Sequence, residues 1–134
     1  MSAPSIALSM IVKNEAHVIA RCLESVRPLL THWVIVDTGS TDGTQEVIRA
    51  SMAGIPGELH ERPWKDFAHN RNEALELARG KADYVLVIDA DDLLAIPEGF
   101  ALPALASDAY QLRVEDAGTV YWRTHLFRAD LDYL

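Results

Sequence analysis

The sequence contains a single cysteine, Cys22, so no disulfide can form within the chain and a reducing compartment is the default expectation. No apolar run approaches 18 residues, and the N-terminus lacks the basic start, apolar stretch and small-residue cleavage site of a signal peptide. A cytoplasmic protein with no transmembrane segment is expected. Basic residues are in deficit, 12 Lys and Arg against 20 Asp and Glu, and the formal charge of −8 argues against a polyanion such as nucleic acid bound over a broad face. A compact anionic ligand is still compatible with that charge, since a few basic groups and one divalent cation create a local positive site. Asn-x-Ser/Thr sequons are absent. The first turn, Val12-Lys13-Asn14-Glu15-Ala16, carries no GxGxxG, and no Lys follows the glycines within 39–44, which excludes a dinucleotide fingerprint and a P-loop.

What remains is a chain of 134 residues, 49% apolar and 24% charged, the makeup of one water-soluble globular domain with its own core. Residues 6–12 (IALSMIV) form a nearly continuous apolar run, as in a strand buried on both faces. Asn14 is read as a helix cap, followed by Val18, Ile19, Cys22, Leu23 and Val26 at helical spacing until Pro28. Cys22 reads as a small buried hydrophobe on that helix. Residues 33–37 (WVIVD) are a second buried strand. The turn after it, 38–44, feeds a helix carrying Val47, Ile48 and Met52, with Ser40 and Thr41 as expected caps and Gly54, Pro56 and Gly57 as its end.

A weaker strand is expected at 58–62, then a helix over 67–79 with Asp66 as cap and Gly80 as stop, then a buried strand at 84–89 (YVLVID). Alternating strands and helices predict an α/β fold, a three-layer α/β/α sandwich with a mainly parallel, Rossmann-like sheet. Residues 110–115 and 120–127 flank Asp116-Ala117-Gly118-Thr119 and read as an antiparallel C-terminal hairpin. No terminating element precedes Leu134, the expectation for a piece of a longer protein. One domain over 1–134 is expected, with a first portion over 1–94 and a second over 95–134.

Asp37 and Asp89 each end an apolar strand, so a parallel sheet brings both carboxylates to its carboxyl edge, where open α/β sheets bind ligands. Lys13 and Asn14 leave the first strand at the same edge. The bland alternative is that each acid simply terminates its strand. Asp89-Ala90-Asp91-Asp92 puts three carboxylates into four positions, and such a group at neutral pH requires a cation or raised pKa values. Hard oxygen ligands with few protein donors suit Mg²⁺ or Mn²⁺, whose other positions are filled by water and phosphate oxygens. A solvated acidic turn that caps a helix is the competing explanation.

Arg71 shares the helical stripe Phe67, Arg71, Ala74, Leu75 and Ala78, which should face the sheet. A guanidinium there needs an anionic partner, either Asp37 or Asp89 in an ion pair or a diphosphate held bidentately. The histidines His17, His32, His60, His69 and His125 lack zinc-site spacing and are read as surface or core residues. Trp64, Tyr121 and Trp122 could stack on a ligand ring, although aromatics so placed more often pack.

These residues, taken together, resemble the family 2 nucleotide-sugar glycosyltransferases, which have the GT-A fold. The resemblance rests on the first strand with Lys13-Asn14-Glu15, on Val34-Ile35-Val36-Asp37-Thr38-Gly39-Ser40-Thr41-Asp42-Gly43-Thr44, on Arg71-Asn72 and on Asp89-Ala90-Asp91-Asp92, in that order, covering residues 5 to about 94. It implies that Ile11, Val12 and Lys13 line a base pocket, that Asp37 hydrogen-bonds the base or ribose, and that Arg71 contacts the base or diphosphate. Asp89 would approach the ribose, with Ala90 beside it, while Asp91 would bind a divalent metal, Mn²⁺ or Mg²⁺, and Asp92 would be an alternative ligand. The activity implied is inverting transfer of a sugar from a nucleoside diphosphate, a UDP-sugar favoured, to an unknown acceptor.

The family's catalytic base lies well downstream of the acidic motif. Glu115, Asp116 and Asp130 are candidates, and none is assigned that role, so the base is expected to lie outside this chain. Two other functions compete. The run from Val85 to the acids also resembles the apolar-strand-DxD opening of a haloacid-dehalogenase-type phosphatase, with Asp89 as nucleophile, but that motif opens its fold and needs a later Lys, whereas no Lys follows Lys81 here. A non-catalytic sugar-nucleotide-binding fragment shares every donor-site residue with the enzyme, and detectable donor hydrolysis or transfer separates the two.

Overall fold

The computed structural model describes residues 5–94, 109–116 and 119–128. Strand β1 (Ile6–Val12) is central, with β2 (His32–Asp37) parallel on one side and β4 (Tyr84–Val87) parallel on the other. Strand β3 (Gly57–Glu61) adds parallel to β2, so the chain winds outward through β1, β2 and β3 and then crosses back to place β4 beside β1. Two further strands, β5 (Ala109–Asp116) and β6 (Thr119–Arg128), pair antiparallel with each other, and β6 pairs antiparallel with β4. The sheet order is β3-β2-β1-β4-β6-β5.

The apolar runs of β1, β2 and β4 are buried along almost their whole length because both faces of the sheet are covered. Strand alternation splits their side chains between two cores. Ile6, Leu8, Met10 and Val12 of β1, with Trp33, Ile35 and Leu86, face the layer of α1 (Ile19–Val26) and α2 (Thr44–Ser51). Val34, Val85 and Val87 face α3 (Phe67–Ala78) through its Ala78, with Leu75 and Leu77 packed at the margin. The α3 side is lined by small residues, with Ala7 and Ser9 buried on β1 and Ala74 and Ala78 buried on the helix, so the helix lies close over β1 and β2.

Several local expectations need correction. Asn14 does not cap α1. Its φ of 54° puts it in the left-handed region, and the helix starts at Ile19 after Val18, without a side-chain cap. Ser40 and Thr41 do not cap α2 either; Gly43 holds the N-cap position with φ 90°, and the two hydroxyl residues sit in the preceding turn. Asp66 does cap α3, accepting from the His69 N–H at 2.7 Å, and Gly80 follows the helix with φ 77°. β4 ends at Val87, so Asp89 stands two residues beyond the strand. The buried stripe of α3 is Asn70, Ala74 and Ala78, while Phe67 is 62% exposed. Ala117 and Gly118 of the expected hairpin turn, Asp130, and the side chains of Glu115, Asp116, Tyr121, Trp122 and His125 lie outside the described residues.

Candidate functional site

The chain reverses its winding between β1 and β4, and at such a switch point the flanking loops diverge and leave a crevice at the carboxyl edge of the sheet. A cleft of about 370 Å³ opens there. Its β1 wall is built from Ile11, Val12, Lys13 and Glu15, with Thr38 at the end of β2. Facing them are Trp64, Phe67 and Arg71 from the β3–α3 connection and the first turns of α3, and Asp89 follows β4.

Arg71 is brought to Asp89 and not to Asp37. Its Nη2 lies 4.0 Å from Asp89 Oδ1, and its guanidinium sits over the Phe67 ring, 5.2 Å from the centroid. The Arg71 side chain is 24% exposed and that of Asp89 62%, so the contact is a long, solvent-screened ion pair that contributes little energy. Asp89, Asp91 and Asp92 each present a carboxylate oxygen within 4.8 Å of the others. The backbone makes that convergence: Asp92 N–H donates to Asp89 O at 3.0 Å, closing a turn, and Asp89 N–H donates to Asp92 Oδ2 at 3.3 Å. Ala90 is buried under the turn. From below, Cys22 Sγ approaches Asp89 O at 3.4 Å, and the thiol is pushed up to about 12, first by burial and then by the negative charge of Asp92, Asp91 and Asp89.

Asp37 is fully buried. Its Oδ1 accepts from the N–H groups of Gly39 and Ser40, both at 2.8 Å, while Oδ2 has no hydrogen bond among the described residues. Beside it two loops interlock. Asn14 N–H donates to Ser40 Oγ, Glu15 N–H to Thr44 Oγ1 and Ala16 N–H to Asp42 Oδ2, while Thr41 N–H donates back to Asn14 Oδ1. The N–H groups of Gly39, Ser40, Thr41 and Thr44 are engaged within the chain, and the side chains of Ser40, Asp42 and Thr44 hold the β1–α1 loop. Asp42 is held below the ordinary carboxylate range, chiefly by the Thr44 hydroxyl and further by the N–H groups of Ala16 and Thr44.

Asn70 is a functional position that the apolar stripe of α3 does not reveal. Fully buried, it accepts from Lys65 N–H at 2.9 Å and donates to Pro63 O at 3.1 Å, so it fixes the loop that carries Trp64. A usable signal was present, because residues 70, 74 and 78 repeat every four positions with alanine at the last two.

The sequence profile of glycosyl transferase family 2 matches residues 8–107, a span that contains the whole cleft. The chain belongs to glycosyltransferase family 2. Among curated relatives, the SPbeta prophage-derived glycosyltransferase SunS of Bacillus subtilis is 34% identical over 91 residues, covering 67% of this chain and 21% of SunS. The lipopolysaccharide core biosynthesis glycosyltransferase LpsC of Rhizobium meliloti is 35% identical over 94 residues, 68% of this chain and 34% of LpsC. A TPR repeat-containing protein of Synechococcus elongatus is 37% identical over 91 residues, 68% of this chain and 21% of its own length. The chain thus spans between a fifth and about a third of these relatives. In three dimensions it is similar to S. aureus TarS 1–349, with a TM-score of 0.56 at 23% identity, covering 66% of this chain and 28% of that one. Mannosyl-3-phosphoglycerate synthase from Rubrobacter xylanophilus gives 0.52 at 24% identity, covering 66% and 31%. Both likenesses carry the fold, which is the GT-A fold of this family.

Proposed function

We propose that this chain is the donor-binding portion of a glycosyltransferase that takes a nucleoside-diphosphate sugar, a UDP-sugar in preference, together with Mn²⁺ or Mg²⁺, and passes the sugar with inversion to an acceptor hydroxyl. The observation that carries the proposal is the juxtaposition, at the β1/β4 switch point, of Arg71 with three carboxylates whose oxygens lie within 4.8 Å of one another. A cation beside converging hard oxygens suits a diphosphate shared with a divalent metal. The fit is chemical: the acids supply only oxygen donors, and Asp89, which lines the cleft, lies within 4.8 Å of the other two, leaving room for a metal that keeps water and phosphate ligands. TarS 1–349, which shares the fold, is known in complex with UDP.

In this mechanism Asp91 would hold the metal, with Asp92 as an alternative carboxylate ligand. When bound, the metal supplies Lewis-acid stabilisation of the departing diphosphate. Arg71 swings from Asp89 toward the diphosphate oxygens and offsets the charge that grows there as the sugar leaves. Asp89 is released to the ribose, above buried Ala90. Ile11, Val12 and Lys13 form the base-side wall, and Asp37, fully buried behind the cleft lining, would accept a hydrogen bond from the base or ribose at Oδ2 once a local shift of the 38–40 turn uncovers it. We assign the proton of the acceptor hydroxyl to no acid among the described residues and place its base outside this chain.

The test is a thermal shift. At a ligand concentration a hundred times Kd, binding stabilises the folded state by ~2.7 kcal/mol, several degrees in Tm for a domain of this size. UDP should raise Tm with Mn²⁺ or Mg²⁺ present, and Asp91→Ala should remove the rise. Equal stabilisation in excess chelator would refute the metal's part.

A further inference from the structure

Among the described residues, large apolar side chains are held in water at three places, Trp64, Phe67 and Leu93, and two of these belong to the cleft. Trp64 is 52% exposed and Phe67 62%. Leaving that much aromatic surface wet is unfavourable unless a partner covers it. Neither residue stands on a loose tether. Asp66 caps α3 at His69, and Asn70 bonds both Lys65 N–H and Pro63 O on either side of Trp64, so the two rings are presented by a fixed frame.

Their position selects the occupant. Trp64 and Phe67 come from the connection that leaves β3, across β2 from β1, whereas the acids follow β4 on the opposite flank of β1. Arg71, one helical turn beyond Phe67, stands between the rings and Asp89. With the diphosphate at Arg71 and the acids, the planar group on the Trp64 side is the nucleoside's base, and the sugar lies toward the acids. Resting on the donor-site reading above, we infer that Trp64 and Phe67 form one wall of the base subsite, Trp64 stacking on the base and Phe67 coupling that stack to the guanidinium of Arg71. Every nucleobase offers a π face, so this wall favours a base over no base without choosing among them.

Calorimetric titration of the chain with UDP, GDP and inorganic pyrophosphate, each with Mn²⁺, separates the possibilities. Trp64→Ala should weaken UDP and GDP by about tenfold or more and leave pyrophosphate unchanged, while Trp64→Tyr should regain most of the loss. Phe67→Ala should weaken the nucleotides and, through Arg71, pyrophosphate as well. Native Tm for each variant shows that the fold persists. If wild type binds UDP and Trp64→Ala binds it equally well, the wall is wrong and the donor site stands. Equal losses for pyrophosphate and nucleotides in Trp64→Ala also overturn it, because the residue then acts through the loop. Wild type that binds none of the three ligands overturns the donor site itself, and the wall with it.

Discussion

Gly57 shows how strongly one position depends on its neighbour. It pairs with Trp33 across β2 and β3, and a Cβ built on Gly57 would fall within the indole ring. The indole cannot withdraw easily, since its Nε1–H donates to Ile55 O at 2.9 Å and the residue is buried. Gly57→Ala should therefore cost about 1–3 kcal/mol by urea denaturation, the usual range for overpacking. In a Trp33→Leu background the same change should cost far less, because the obstructing ring is gone. An unchanged penalty in both backgrounds would contradict the account. From sequence alone Gly57 reads as the end of a helix, because the close approach depends on a register between strands that local pattern does not contain.

At the level of elements, what sequence could specify divides by the range of the interactions. β1 was legible to the residue and the starts of α3 and β4 were too, since a continuous apolar run and an Asp cap are local signals. The placement of Asp89 near the carboxyl edge rests on a local signal of the same kind, and the structure brings Arg71 to it in one cleft. The clasp between residues 14–16 and 40–44 was not, because its bonds join positions 26 to 29 residues apart and each side chain has an equally good local use as a helix cap. The orientation of α3 was misread by choosing the apolar Phe67 over the polar Asn70 as the inward residue; two hydrogen bonds to backbone make burial of that amide tolerable. Asn70→Ala would strand Lys65 N–H and Pro63 C=O, so a loss of about 1–3 kcal/mol is expected in chemical denaturation. Because the loop also frames the cleft, UDP affinity should fall with it, and full UDP affinity in a destabilised Asn70→Ala protein would count against the loop's part in binding.

For the molecule as a whole, acidic charge exceeds basic charge by 8, and specific pairing offsets a part of it. Glu58 on β3 meets Lys81 Nζ and His60 Nε2, both at 2.8 Å, and its carboxyl is lowered from 4.5 to about 2, by Lys81 first and His60 next. A carboxyl whose folded pKa lies below its unfolded value stabilises the fold above the unfolded value, and that contribution disappears as pH falls toward the folded one. Stability should accordingly drop between about pH 4.5 and 2, and Glu58→Gln should flatten this part of a Tm-against-pH curve. Lys81 is more than a third exposed, so solvent screening keeps the effect small and added salt should shrink it further.

The reciprocal bonding of the β1–α1 and β2–α2 loops has a consequence for anyone recombining this chain with its relatives. Each loop completes the other, as a key completes its lock, so grafting residues 13–16 alone into a foreign scaffold would import donors without their acceptors. Only transplants that carry both halves of the pair should keep the rim of the cleft in register.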